Sequence, residues 1–174
     1  VVVKHGYTAP LTRIELHEAA HPVPDAAGEA GAQRIEAAVS GLSGDDLVIV
    51  CLSGGASALL PSPRPPLTLA DVQAVTARLL GSGCDIQQLN TVRKHLYRLA
   101  GGRLAAACAP ARVLTLVVSD VPGDDLAVIG SGPTAPDPSS DADALALIAR
   151  YAPDAPAAVR AVLSAGGGWT PKPG

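Results

Sequence analysis

Three carboxylates follow an apolar, β-branched run in the second half of the chain. The run Val113 to Ser119 is followed by Asp120, and the turn beyond it supplies Asp124 and Asp125. A carboxylate at the carboxyl end of a buried strand can accept a proton from a substrate hydroxyl or hold Mg²⁺ through oxygen ligands. Asp120 is therefore the first candidate for a general base or magnesium ligand, and Asp124 is the second. Turn and helix-cap roles stay open for Asp124 and Asp125.

Two loops of small residues have the composition of anion-binding turns. One follows the apolar run Leu47 to Leu52, and the other follows the acidic turn. Small residues at the carboxyl end of a parallel strand let backbone N–H groups approach a phosphate or a carboxylate. Neither loop matches GxxxxGK[ST], GxGxxG or GxSxG, and a tight turn without a ligand stays open for the first. The candidate residues are Ser53, Gly54, Gly55, Ala56 and Ser57 in the first loop, and Ser131, Gly132 and Thr134 in the second.

A basic cluster lies between the two loops. Its residues Asn90, Arg93 and Lys94 are three and four positions apart, so a helix would place them on one face. An amide, a guanidinium and an ammonium together suit a carboxylate or a phosphate, although a solvated basic helix face is a competing interpretation. His95 is better explained as a packing residue. Two small-residue loops, three acids and a basic helix together favour phosphoryl-transfer chemistry.

The sequence HEAAH at positions 17–21 has the HExxH spacing of zinc proteases. That motif requires a helix, which places both histidines on one face of the metal site. Pro22 disfavours a helical conformation at His21, and the residues before the motif alternate as in a strand. We therefore expect a strand leading into an extended turn, with no zinc site.

The elements that must position these residues alternate between apolar β-branched runs and helical patterns. This order predicts an α/β fold with an open, mostly parallel, Rossmann-like sheet and helices on both faces. Thr68 or Asp71 is expected to cap one helix, and Asp141 another. The predicted strands are Val1–Lys4, Arg13–His17, Leu47–Leu52 and Val113–Ser119; the predicted helices are Ala26–Val39, Leu69–Leu80, Thr91–Cys108 with a break at Gly101 and Gly102, Asp141–Tyr151 and Ala157–Ser164.

Length and composition narrow the function classes. A chain of 174 residues makes one domain of ordinary size. With 13 basic and 16 acidic residues it lacks the charge excess of nucleic-acid binders, so we expect no nucleic-acid partner. No apolar run reaches membrane-spanning length and no signal peptide is evident, so we expect no membrane contact and a cytoplasmic location. The three cysteines, Cys51, Cys84 and Cys108, are expected to be reduced packing residues.

Four strings in order, EAAHPVPD, LVIVCLSGGASALL, NTVRKHL with the following GGRLA, and SDVPGDDLAVIGSGPTAPDP, resemble the ATP-dependent glycerate kinases of the glycerate 2-kinase (MOFRL) type. They cover most of residues 18–138. Two positions depart from that family's pattern: Ala56 stands where a third glycine is usual, and Gly130 where an alanine is common. The chain has no Met, and we expect residues 1–174 to be an incomplete amino-terminal (DUF4147-like) domain without the carboxyl-terminal MOFRL domain.

The resemblance implies transfer of the γ-phosphoryl group of ATP, with Mg²⁺, to the 2-hydroxyl group of D-glycerate. It implies that the two loops hold substrate or phosphate oxygens, that Arg93 and Lys94 pair with the glycerate carboxylate or the phosphates, and that Asp120 is base or metal anchor. A family lysine and a family arginine lie outside this chain, so the missing carboxyl-terminal domain is an expected partner. Open alternatives are a hydroxypyruvate reductase and a non-catalytic binding segment; a homodimer also stays open.

Overall fold

The computed structural model describes all 174 residues and combines short parallel strands with seven helices. In chain order the elements are β1 (Val2–Lys4), β2 (His17–Ala19), α1 (Ala26–Val39), β3 (Leu47–Leu52), α2 (Ala56–Leu59), α3 (Leu69–Gly81), α4 (Ile86–Leu96), α5 (Arg103–Ala107), β4 (Arg112–Val117), α6 (Asp141–Tyr151) and α7 (Ala157–Ala165). A short 3₁₀ turn, Ile129–Ser131, follows β4. The predicted α/β class with parallel strands is confirmed.

The four strands form two parallel pairs. Strand β1 pairs with β2, and β3 pairs with β4 over six residues, with Leu47 opposite Arg112 and Leu52 opposite Val117. No hydrogen bonds join the two pairs into one sheet. Strand β2 begins at His17, so the prediction of a strand over Arg13–His17 was wrong by almost its whole length. The alternation of Ile14 and Leu16 with polar neighbours was too short to locate the strand.

One face of the β3–β4 pair is apolar and exposed. Because side chains alternate along a strand, β3 turns Ile49 to that face and β4 turns Leu116, with 56% and 52% of their surfaces accessible. The predicted packing role of Cys51 was wrong, since Cys51 is exposed on the same face, whereas Cys108 is buried. Only the opposite face, which includes Val48 and Val113, packs against a small cluster from α1, α5 and their neighbours. The helices expected on both faces therefore cover one face of this pair.

The main apolar core is helical. Helices α3, α4, α6 and α7 contribute a single cluster that contains Val75, Val92, Ile148 and Val159, each at most 1% exposed. Burying aliphatic side chains of this kind stabilises the fold by about 1.5–3 kcal/mol each. The helices are all too short or too polar to span a lipid bilayer.

Helix α4, which carries the basic cluster, is shifted from its predicted position. It was predicted as part of Thr91–Cys108 but spans Ile86–Leu96, because Asp85 and Gln88 form a capping box at its amino end. The predicted break at Gly101–Gly102 is confirmed, and both glycines have positive φ. Two helices, α4 and α5, stand on either side of this break, and the part of the prediction that was wrong is the start of α4.

The helix caps test two further predictions. Thr68 caps α3 and forms a reciprocal capping box with Asp71, as expected. Asp141 does not cap α6; Ser140 does, with Asp143 completing the box. Asp141 lies one residue inside the helix, where its carboxylate is engaged by the ion pairs described below.

The HEAAH segment is not helical. His17 begins β2, and the chain leaves that strand after Ala19 in an extended turn, as predicted. No group of three or more His, Cys, Asp or Glu side chains is close enough to hold a metal ion anywhere in the chain.

Candidate functional site

A polar cavity of about 300 Å³ opens where the first small-residue loop meets α4 and the segment after β4. The three segments are far apart in sequence, and the cavity brings together four of the polar candidates, namely Ser57, Asn90, Arg93 and Asp120. The polar or glycine residues that line it are His21, Gly54, Gly55, Ser57, Asn90, Arg93, Asp120 and Gly130.

The two glycines of the first loop are required by close neighbours. A Cβ atom on Gly54 would collide with the Asp120 carboxylate, and a Cβ atom on Gly55 would lie 2.9 Å from Cδ2 of His21. Gly55 also has φ +87°, a left-handed conformation that favours glycine. His21 lines the cavity although the sequence predicted no functional role for it, because the HEAAH spacing does not form a zinc site. The one signal for it was its place in the string EAAHPVPD.

Asp120 is the only carboxylate that lines the cavity. It follows β4 at the carboxyl end of the parallel pair, where the sequence predicted it, and it is exposed. No hydrogen bond or ion pair engages its carboxylate within the chain, so both oxygens are free to accept a proton or contact a ligand.

Arg93 is the unpaired cation of the cavity. Only 7% of its surface is accessible, no carboxylate lies within ion-pair distance of its guanidinium, and Nε is buried without a hydrogen-bond partner. Burial lowers the pKa of Arg93, but guanidinium groups stay charged in proteins. A buried charge without a partner is costly. This geometry therefore favours an anionic ligand that would neutralise Arg93.

Lys94, the next residue, does not line the cavity. It is 5% exposed, and its Nζ lies 3.3 Å from Oδ1 of Asp137, which is fully buried. Burial alone raises the pKa of Asp137. The contact with His95, the hydrogen bonds from Ser139 and the charge of Lys94 together hold that pKa well below its usual range. His95 Nδ1 is 2.8 Å from Oδ1 of Asp141, which extends the cluster to α6.

Lys94, Asp137, His95 and Asp141 form a buried network, and two arginines lie beside it. Nη1 of Arg64 is 3.3 Å from Oδ1 of Asp141. Arg103 donates from Nη1 to the Tyr97 carbonyl at 2.9 Å and from Nη2 to the Gly168 carbonyl at 2.9 Å. Burial, and then the nearby charge of Arg64, lower the pKa of Arg103 to about 10, so it remains protonated at neutral pH. The network therefore holds the face of α4 that carries Lys94, whereas the cavity lies on the face that carries Arg93.

A chain of three buried polar side chains links α4 to both small-residue loops. Asn90 Nδ2 donates to the Val128 carbonyl at 3.0 Å, and Ser131 Oγ donates to Asn90 Oδ1 at 3.2 Å. Ser131 Oγ is also 2.7 Å from Ser57 Oγ. Asn90 and Ser57 line the cavity, whereas Ser131 lies behind them with no accessible surface.

Several predicted residues lie away from the cavity. Ser53 is exposed and outside its lining. Thr134 accepts a hydrogen bond from Thr115 of β4 at 2.9 Å. A Cβ atom on Gly132 would lie 2.8 Å from the Ala127 carbonyl oxygen, so this glycine serves close packing.

Asp124, the second metal candidate, is exposed, has φ +52° and does not line the cavity. Asp120 is therefore not joined by a second carboxylate in the lining of the cavity. Mg²⁺ is commonly held by one or two carboxylates together with substrate phosphates. Asp120 could supply the single protein carboxylate of such a site.

A second, apolar cavity of about 270 Å³ lies against the first and is lined mainly by aliphatic residues of β1, α1 and β3. Ala56 and Gly130 line it together. A Cβ atom on Gly130 would lie 3.0 Å from Cβ of Ala56. The two positions that depart from the pattern of the resembling family therefore contact each other.

Comparison with known proteins adds a family and relatives to this geometry. Residues 1–164 match a family described as "Domain of unknown function (DUF4147)". A protein of Agrobacterium vitis named putative hydroxypyruvate reductase is 53% identical over all 174 residues, which cover 40% of that relative's length. The D-glycerate 2-kinase of Thermotoga maritima is 44% identical over 152 residues, 87% of this chain and 36% of the relative.

A solved structure agrees with the sequence relatives. The crystal structure of a glycerate kinase from Thermotoga maritima superimposes with a TM-score of 0.89 at 40% identity, over 99% of this chain and 41% of that one. The chain thus spans about two fifths of the length of the relatives it matches.

Proposed function

The chain belongs to the DUF4147 family, and from its similarity to glycerate kinases we propose that it forms the acceptor-binding part of an enzyme that transfers the γ-phosphoryl group of ATP to the 2-hydroxyl group of D-glycerate. The observation that carries the proposal is the unpaired Arg93 in the same cavity as the unengaged carboxylate of Asp120. A cation for the acid group and a base for the hydroxyl group are the two functions that such an acceptor requires.

Arg93 binds the carboxylate of the acceptor in this proposal. A guanidinium can contact both oxygens of a carboxylate, and the low-dielectric position of Arg93 strengthens the attraction. Lys94, which the sequence resemblance paired with the same anion, instead holds Asp137 and so positions the helix that carries Arg93.

Asp120 is the proposed general base. As the acceptor's 2-oxygen forms its bond to the γ-phosphorus, the proton of the 2-hydroxyl passes to Asp120; the bond between the γ-phosphorus and the β–γ bridging oxygen breaks, and ADP leaves with that oxygen. Positioning and charge neutralisation supply most of the rate enhancement in such transfers. The backbone N–H groups around Gly54 and Gly55 are suited to hold phosphate oxygens.

We propose that Mg²⁺ enters with the nucleotide, where it would neutralise phosphate charge. Asp120 is the only carboxylate of the cavity that could contact it, because Asp124 does not line the cavity. No second protein carboxylate is required when the phosphates supply the remaining oxygen ligands.

We further propose that the active protein contains more than these residues, with a carboxyl-terminal domain of the MOFRL type completing the site. The chain covers about 40% of its relatives' length. The exposed apolar face of β3–β4 supports the proposal, since contiguous apolar patches commonly mark surfaces that another part of a protein covers.

Phosphorus NMR tests the reaction. The longer protein that carries this chain is incubated with D-glycerate, ATP and Mg²⁺, and the 174-residue chain is assayed beside it. We expect a 2-phosphoglycerate resonance from the longer protein only. Formation of 3-phosphoglycerate would contradict the assigned hydroxyl, and no phosphorylated product would leave a binding segment as the better description.

A second candidate is a nicotinamide-dependent hydroxypyruvate reductase, because two Agrobacterium vitis relatives, at 53% and 49% identity, carry that name. The chain has no GxGxxG fingerprint after a strand. The same protein preparation should therefore leave NADH absorbance unchanged when hydroxypyruvate is added. Oxidation of NADH that depends on hydroxypyruvate would favour the reductase.

A further inference from the structure

We infer that Ser57 recognises the acceptor's second hydroxyl group, the one that is not phosphorylated, and that Ser131 is a positioning residue that fixes Ser57 as a hydrogen-bond acceptor toward the cavity. The inference rests on the proposed function, because it concerns the acceptor in the same cavity. It adds a determinant of substrate choice that neither Arg93 nor Asp120 provides.

The direction of the hydrogen bonds carries the first step. Asn90 Nδ2 donates to the Val128 carbonyl, which fixes the orientation of the amide and leaves Oδ1 as an acceptor. Ser131 has one hydroxyl proton, and it is directed to that Oδ1. The 2.7 Å contact between the two serine hydroxyls must then use the proton of Ser57. Ser57 therefore has only lone pairs left for the cavity.

The backbone at Ser131 supports this role. Ser131 has φ +62° and lies between Gly130 and Gly132, which also have positive φ. A left-handed conformation is unfavourable for serine and easy for glycine. The backbone therefore favours a third glycine at this fully buried position, yet a hydroxyl is present that bonds to both Asn90 and Ser57. The backbone geometry alone therefore does not explain why position 131 is a serine, whereas the two hydrogen bonds of its hydroxyl do.

The position of Ser57 in the cavity defines the ligand class. Ser57, Arg93 and Asp120 line the same 300 Å³ space. A hydroxyl that can only accept selects a group that donates. With a carboxylate at Arg93 and the reacting hydroxyl at Asp120, the remaining donor is a second hydroxyl on a short carboxylic acid, so the site is built for a dihydroxy acid over a monohydroxy acid.

Calorimetric binding of two probes to the longer protein tests the inference. D-Glycerate carries the second hydroxyl and D-lactate lacks it. We expect the wild-type protein to bind D-glycerate about 3- to 10-fold more tightly, the range for one neutral hydrogen bond. Ser57→Ala should remove this preference by weakening D-glycerate binding and leaving D-lactate binding unchanged.

Ser131→Gly separates positioning from folding. The substitution suits the left-handed backbone, which offsets part of the cost of leaving Asn90 Oδ1 without its donor, so the protein should remain folded by circular dichroism. The freed Ser57 proton should reduce the preference for D-glycerate to less than half its wild-type value. Ser62→Ala is the matched control: Ser62 is also fully buried and bonded, to the Leu99 N–H, but it lies outside the cavity. The Ser62→Ala protein should prefer D-glycerate over D-lactate as strongly as the wild type does.

Equal loss of both probes in Ser57→Ala, or an unchanged preference in both Ser57→Ala and Ser131→Gly, would overturn the inference, as would a wild-type protein that binds neither probe. The phosphorylation assay tests the kinase independently of this recognition site. A protein that prefers D-glycerate through Ser57 but yields no phosphorylated product would support the recognition site and contradict the kinase.

Discussion

The two faces of α4 hold neighbouring cations in opposite electrostatic situations. Arg93 and Lys94 are both at least 93% buried, yet Lys94 has a carboxylate partner in Asp137 and Arg93 has none. Adjacent helix residues point about 100° apart, so one turns to the cavity and the other to the buried network. The comparison teaches that burial of a charge does not identify its role; the presence or absence of a partner does.

The largest expected effect on stability comes from breaking the pair of Lys94 and Asp137, the paired side of α4. Lys94→Met leaves Asp137 buried with its nearest full positive charge removed, and such a change costs about 3–5 kcal/mol in the free energy of unfolding. Urea denaturation measures it. Lys4→Met, at an exposed lysine, is the control and should change stability by less than about 0.5 kcal/mol. A Lys94→Met protein as stable as the control would show that the pair is not structural.

The unpaired side should respond in binding and not in stability. Arg93→Met removes no partner, so the free energy of unfolding should stay the same or rise. Losing the cation of a buried charge pair costs about 2–5 kcal/mol, so the affinity for D-glycerate should fall at least about 30-fold. Calorimetry measures the affinity. Normal affinity, or a stability loss matching that of Lys94→Met, would remove the distinction between the two faces.

Acid should weaken the paired side first. The pKa of Asp137 is lower in the folded chain than in the unfolded chain, so the unfolded state binds more protons as the pH falls below about 4. The stability that Asp137 contributes is therefore present above pH about 4 and decreases on further acidification. Urea titrations between pH 6 and pH 3 should show a steeper decrease for the wild type than for Asp137→Asn. Parallel curves would contradict the assignment.

The smallest expected effect concerns the contact beneath the cavity. Gly130→Ala places a Cβ atom 3.0 Å from Ala56 in a residue with φ +59°, which should cost about 1–2 kcal/mol. Adding Ala56→Gly relieves the contact but not the backbone strain. A double-mutant cycle by urea denaturation should therefore give a favourable coupling of about 0.5 kcal/mol or more. Strict additivity would show that the two positions do not interact.

Local patterns predicted the fold better than the site. The β-branched runs located β1 and β3 because strand propensity and flanking turns act over a few residues, and the Thr68 cap could be identified for the same reason. The start of α4 was missed because the box formed by Asp85 and Gln88 precedes the apolar pattern. The division of the strands into two pairs depends on contacts between distant segments, which periodicity does not report.

The site shows the same limit at single residues. Helical spacing grouped Asn90, Arg93 and Lys94, and the structure keeps the first two together at the cavity. Helical spacing could not show that Lys94 lies away from the cavity, because its partner Asp137 is 43 residues away along the chain. His21 was hidden behind an unsuitable metal motif. Asp120 was found because the carboxyl end of a strand is a position that sequence can identify.

The contact between Ala56 and Gly130 constrains the order in which this sequence could have diverged. If the resembling family's usual glycine and alanine were the starting pair, changing position 56 first would have put two methyl groups 3.0 Å apart. Changing position 130 first opens the space that Ala56 now fills. The path through Gly130 is then the accessible one, and once Ala56 is in place a return to alanine at position 130 is obstructed.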